Sequence, residues 1–139
     1  MQNNTITDDK SPAAGRRNRA GNVKVSAVLI VKNEKRNIVE ALSSLQGWAD
    51  EIVVVDDEST DETRDLARKF TDRIFVRKME LEGAQRNYGV RQAKNDWVMF
   101  IDADERMTPE LQAEVDATLS QNDGKTVAYW VPRKNYLGN

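Results

Sequence analysis

The sequence predicts an α/β domain with a mostly parallel sheet, and three observations carry that reading. Short β-branched, apolar runs recur along the chain, separated by segments whose apolar residues fall at helical spacing. The runs are continuously apolar, as expected of strands covered by helices on both faces. A length of 139 residues suits one such domain.

Residues 1–22 offer almost nothing to bury and read as a disordered leader. Its Arg16, Arg17 and Arg19 are read as charges of a solvated tail, weak evidence for a lipid or RNA surface. The domain is expected over residues 23–139. VKVSAVLIV, residues 23–31, is the first strand. Ile38, Ala41, Leu42 and Leu45 then mark a helix that Gly47 stops. Residues 52–55 form a second strand running into Asp56-Asp57. Ser59 as N-cap and Glu62 three positions into the turn predict a capping box, opening a helix that buries Leu66, Ala67 and Phe70. A short third strand over 73–77, a helix over 84–93 and a fourth strand over 97–101 follow. Thr108-Pro109-Glu110 has the form of an N-cap with proline at the first helical position, and Leu111, Val115 and Leu119 mark that helix's buried stripe. Residues 127–131 (VAYWV) are the last strand candidate.

Composition excludes much chemistry. Without cysteine there is no disulfide, thiolate nucleophile or zinc–thiolate site. Without histidine there is no Ser-His-Asp triad and no imidazole acid or base. With 21 basic and 23 acidic residues, the chain lacks the basic balance of a nucleic-acid binder. The longest apolar run, 25–31, is too short for a transmembrane segment, and no signal-peptide centre precedes it. A cytoplasmic location is expected.

Ligands of open α/β sheets sit beyond the carboxyl ends of the strands. The first strand runs into Lys32-Asn33-Glu34, the second into Asp56-Asp57-Glu58-Ser59 and the fourth into Asp102-Ala103-Asp104-Glu105. So many acids on one edge repel one another without a cation. Asp102 and Asp104, directly after WVMFI, suit a divalent ion with oxygen ligands, Mg²⁺ or Mn²⁺, completed by phosphate oxygens. Glu62 and Glu110 are read as helix-end acids.

Taken together, VSAVLIVKNE, WADEIVVVDDESTDET, GAQRNYG, DWVMFIDADERMTPEL and VPRKNYLG resemble, in order, the inverting family 2 glycosyltransferases, which use nucleotide-sugar donors. The resemblance covers about residues 25–138 and is strongest to the branch that builds lipopolysaccharide core and related cell-envelope glycans. It implies a Rossmann-like GT-A fold. It further implies that Asp102 and Asp104 are the DXD pair holding the metal against the donor diphosphate, with Asp102 also nucleotide-binding. Asp56 or Asp57 would recognise the nucleoside, with a UDP-sugar favoured and Asp57 preferred for the ring. Lys32, Asn33 and Glu34 would form the loop over base and ribose, and Arg86 would lie close to the nucleotide.

Plainer readings stand beside these. Asn33 is as readily a cap of the following helix, Arg86 a surface charge, Gly83 and Gly89 turn or packing residues, and Trp48 and Trp97 packing rather than sugar platforms. Trp130 and Tyr136 fall where the family's acceptor region begins. The family's catalytic domains continue well past this point, so the chain reads as a truncated, nucleotide-sugar-binding part. Its acceptor is expected to be a glycan or lipid-linked group. Its catalytic base is unknown and expected to lie outside the chain, with Glu105 a weak candidate. Uncovered sheet edges would favour self-association. Two other functions compete: a catalytically silent nucleotide-binding remnant, and a phosphatase with an aspartate nucleophile. The phosphatase is disfavoured because its motif should follow the first strand. A peripheral position at the inner face of the cell membrane is left open.

Overall fold

A computed structural model describes residues 23–135. The expected leader at 1–22, with its three arginines, and Tyr136 lie outside the described residues. Strand β1 (Val25–Val31) leads through helix α1 (Ile38–Leu45) to β2 (Glu51–Asp56), and helix α2 (Thr63–Ala67) leads to β3 (Ile74–Val76). Helix α3 (Glu82–Gln92), strand β4 (Trp97–Phe100) and helix α4 (Pro109–Ser120) follow. The strands form one sheet of order β3-β2-β1-β4, and every pair is parallel. The predicted α/β class is therefore correct.

Period-two alternation divides β1 between the two faces of the sheet. Val25, Ala27, Leu29 and Val31 pack in one buried cluster with Ile38, Ala41, Leu42 and Leu45 of α1, the four residues whose spacing predicted that helix. Val28 points the other way, with Val53 and Val55, towards Tyr88 of α3. Gly89 sits at this second interface. A Cβ there would lie 2.6 Å from Val28 Cγ1, so α3 approaches the sheet closely only because the position is glycine. Gly83 has open space around it and carries no such constraint. Gly47, with φ of 81°, ends α1 in a conformation that disfavours other residues.

Helix α4 starts as predicted, with Pro109 in its first turn and the Thr108 side chain accepting from Leu111 N. Its stripe meets the first cluster through buried Leu119 and half-buried Leu111 and Val115. Trp48 is buried in the same cluster and donates its indole N–H to Asp116 Oδ1 of α4 at 2.9 Å. Trp97 packs at the cluster's margin. Both tryptophans are thus packing residues.

Two expected local features are absent. The capping box at Ser59 does not form: α2 begins at Thr63, its N-cap is Glu62, and no side chain caps it. Ser59 is buried and accepts from Asn33 N at 2.8 Å, so a partner from the β1 loop has taken the hydroxyl the helix would have used. Residues 127–131 are not a strand. Val127 and Trp130 are 88% and 98% exposed, and among the described residues the segment joins no ladder. β-Branched composition fits a pleated, half-buried surface, and without a neighbouring strand it fixes nothing.

Candidate functional site

Strand β1 lies between β2 and β4, and the chain reverses its direction of winding across the β1–β4 pair. In open α/β sheets such a switch point opens a crevice at the carboxyl ends of the strands. The three acid-rich loops predicted to carry function all end there.

The β1 and β2 loops are built as one unit. Asn33, at φ of 52°, turns its carboxamide across to the second loop, where Oδ1 accepts from Thr60 N at 2.8 Å and Asp61 N at 3.3 Å. Glu34 N donates to Thr63 Oγ1 at 2.8 Å, while Glu34 Oε2 accepts from Asn37 Nδ2. Asn33 therefore does not cap α1, whose N-cap is Asn37. Its short side chain tolerates the left-handed backbone and joins the two loops.

The adjacent acids are both buried but have different partners. Asp56 is 0% exposed; its Oδ2 accepts from Ser59 N at 2.8 Å and faces Arg64 Nε at 3.6 Å, while its buried Oδ1 has no hydrogen-bond partner among the described residues. Asp57 accepts from Met79 N on Oδ1 at 2.8 Å and pairs with Lys32 Nζ on Oδ2 at 3.0 Å. The Met79 N–H foremost, and then the Lys32 ammonium, hold its carboxyl below the ordinary value of 3.8. Asp57 is thus ionised at neutral pH. Lys32 is 59% exposed and sits at the margin of the crevice.

Glu58 adopts φ of 49°, which costs a glutamate roughly 1 kcal/mol. Glu58→Gly should therefore leave stability unchanged or raise it by up to about 1 kcal/mol, the gain being offset by the freer unfolded chain. A urea titration measures this. A clear loss would mean that the Glu58 side chain contributes to the loop.

A second group forms after β4. Asp102 Oδ2 accepts from Arg133 Nη2 at 3.0 Å, and its Oδ1 faces Arg86 Nη2 at 3.8 Å. Glu105 turns back, accepting from Asp102 N through Oε2 at 2.8 Å and pairing through Oε1 with Arg133 Nε at 2.6 Å. Arg86 reaches this group from α3, lying over the Phe100 ring and also held by Glu82 one turn earlier. It is both a helix-surface charge and a neighbour of Asp102. Asp104 is exposed. No local pattern points to Arg133 or Arg64, since each meets its acid through the fold. The motif VPRKNYLG contains Arg133, but nothing local identifies its partner.

The donor set suits a hard divalent ion. Among the described residues, no three acidic side chains converge as a ready-made cage. Mg²⁺ typically takes one or two carboxylates, retained waters and substrate phosphates rather than an all-protein cage. Asp102 and exposed Asp104, two positions apart on the β4 loop, are of that kind.

The family model for glycosyl transferase family 2 matches residues 26–138. The chain belongs to that family. An uncharacterized glycosyltransferase of Rickettsia bellii is 38% identical over 78% of this chain and 37% of its own length. LpsC of Rhizobium meliloti, a lipopolysaccharide core biosynthesis glycosyltransferase, is 31% identical over 81% of this chain and 43% of its own. This family 2 chain thus spans well under half the length of these relatives. Among solved structures, Staphylococcus aureus TarS 1-349 in complex with UDP-GlcNAc matches with a TM-score of 0.58 and 30% identity, covering 71% of this chain and 32% of that one. The fold is the GT-A fold expected from the resemblance. Among the described residues, no helix is long and apolar enough to cross a membrane.

Proposed function

We propose that residues 23–139 form the donor-binding part of a glycosyltransferase that takes a nucleotide sugar, most readily a UDP-sugar, and passes the sugar to a glycan or lipid-linked acceptor. One observation carries the reading: the joined β1 and β2 loops and the Asp102–Asp104 loop lie at the carboxyl ends of neighbouring parallel strands, at the switch point of the sheet. The family membership and the TarS likeness, a protein solved with UDP-GlcNAc, support the donor class.

In this reading Asp57, ionised and oriented by Met79 N, accepts the imide N–H of uracil, while Lys32, Asn33 and Glu34 line the base and ribose. Asp56, buried beneath them, holds the loop instead of touching the nucleotide. Asp102 and Asp104 would hold Mg²⁺ or Mn²⁺, which would supply positive charge to offset that of a nucleoside diphosphate. Arg86 adds a guanidinium suited to phosphate oxygens. Glu105 is committed to Asp102 N and Arg133, so it is a poor base for an acceptor hydroxyl. The likeness to LpsC, named for lipopolysaccharide core biosynthesis, supports a cell-envelope acceptor. With such an acceptor goes a peripheral position at the inner face of the membrane.

Calorimetric titration of UDP with and without Mn²⁺ tests the proposal. Affinity should rise at least about tenfold with the metal, and Asp104→Asn should remove most of that gain, as expected when a charge-assisted contact worth about 1.5–3 kcal/mol is lost. Equal affinity in both buffers would remove the metal role. A clear preference for GDP would move the donor to another nucleotide.

A further inference from the structure

Arg133 is the residue of the acid group that the proposed function leaves without a task. It lies on the extended segment after α4 and reaches back across 31 positions to Asp102. Its Nη2 donates to Asp102 Oδ2 at 3.0 Å and its Nε meets Glu105 Oε1 at 2.6 Å. Glu105 in turn accepts from Asp102 N, which closes a ring of three residues. With Arg86 on the other side at 3.8 Å, both carboxylate oxygens of Asp102 face guanidinium groups. A divalent ion that takes Oδ2 must share that oxygen with Arg133 or displace it.

We propose that Arg133 is a tethered counter-cation that neutralises Asp102 and competes with the divalent ion for that carboxylate. The proposal rests on the reading of Asp102 as the metal-side acid. Its physics is that of a weak, reversible contact. Arg133 and Asp102 have side chains 62% and 41% exposed, and ion pairs so open to water are held loosely enough for an incoming cation to displace. The planar guanidinium spans two carboxylates at once, which a lysine ammonium does less well. The device keeps the acids at the end of β4 from repelling one another before the donor arrives, and it sets a threshold for metal uptake. Arg133 is thus a positioning residue acting through Asp102.

Binding of Mn²⁺ alone, followed by the loss of its free-ion paramagnetic resonance signal, provides the test. Removing a competing cation should tighten binding, whereas damage to the site would weaken it. Arg133→Ala is expected to lower the Kd for Mn²⁺ by about two- to fivefold, the range of an exposed ion pair. Lys134→Ala removes the neighbouring positive charge, which makes no ion pair with Asp102 or Glu105 among the described residues, and should leave the Kd unchanged. If Arg133→Ala fails to fold by circular dichroism, Arg133→Gln takes its place with the same expectation. An unchanged or weakened Mn²⁺ affinity in the Arg133 variant overturns the proposal, as does an equal gain from Lys134→Ala. A parallel UDP titration of the unaltered chain keeps the two readings apart. UDP binding indifferent to metal would sink the donor-site reading, while an Arg133 variant without a Mn²⁺ gain would sink this one.

Discussion

Gly89→Val should destabilise the fold by about 3 kcal/mol, the upper end of what overpacking costs. Even the first added carbon would lie 2.6 Å from Val28 Cγ1 and 3.5 Å from Val55 Cγ2, both on central strands. Val28 and Val55 are 0% exposed and have nowhere to retreat. Gly89→Ala is the sharper comparison. Alanine gains about 1 kcal/mol of helix propensity over glycine, against about 1–3 kcal/mol for the clash, so a smaller net loss is expected. Urea midpoints at constant slope measure both. A rise in midpoint for Gly89→Ala would show that α3 can lift off the sheet at little cost, and the close approach would lose its significance.

The second large effect separates two neighbouring acids. Asp56→Ala removes the acceptor for Ser59 N and the partner of Arg64 from a fully buried position, at a cost of about 2–3 kcal/mol. Asp56→Asn retains an oxygen for Ser59 N and should lose less. Asp57→Ala should instead weaken UDP binding about tenfold or more, the effect of removing the proposed charge-assisted hydrogen bond to the base. Thermal melting and UDP titration of the three variants give the answer together. Unaltered UDP affinity in Asp57→Ala, with a loss in Asp56→Asn, would exchange the two roles.

What the sequence made legible was local. Ile38, Ala41, Leu42 and Leu45 are all buried because helical spacing and burial are one pattern seen twice. Thr108-Pro109 opens a helix because its signal lies within four residues. The failures share a cause. Ser59 had the form of a cap, but the hydroxyl was taken by Asn33 of the adjacent β1 loop. Residues 127–131 had strand composition and no ladder to join. The positions of Asp56, Asp57 and Asp102 could be read because strand ends locate them. Their partners Arg64, Met79 and Arg133, in that order, could not, because only the folded chain brings them near.

The register of the sheet also has a kinetic meaning. β1 meets β2 through Ser26 and Glu51, but meets β4 through Val25 and Trp97, nearly three times as far along the chain. Closing the longer loop costs roughly 1 kcal/mol more in chain entropy. Docking of β4 is therefore the less probable early event, and it is β4 that carries Asp102 and Asp104 into place. A refolding chain should assemble the joined β1 and β2 loops first and the acid pair afterwards. Metal uptake would then report the final stage of folding, while contacts between the β1 and β2 loops report an earlier one.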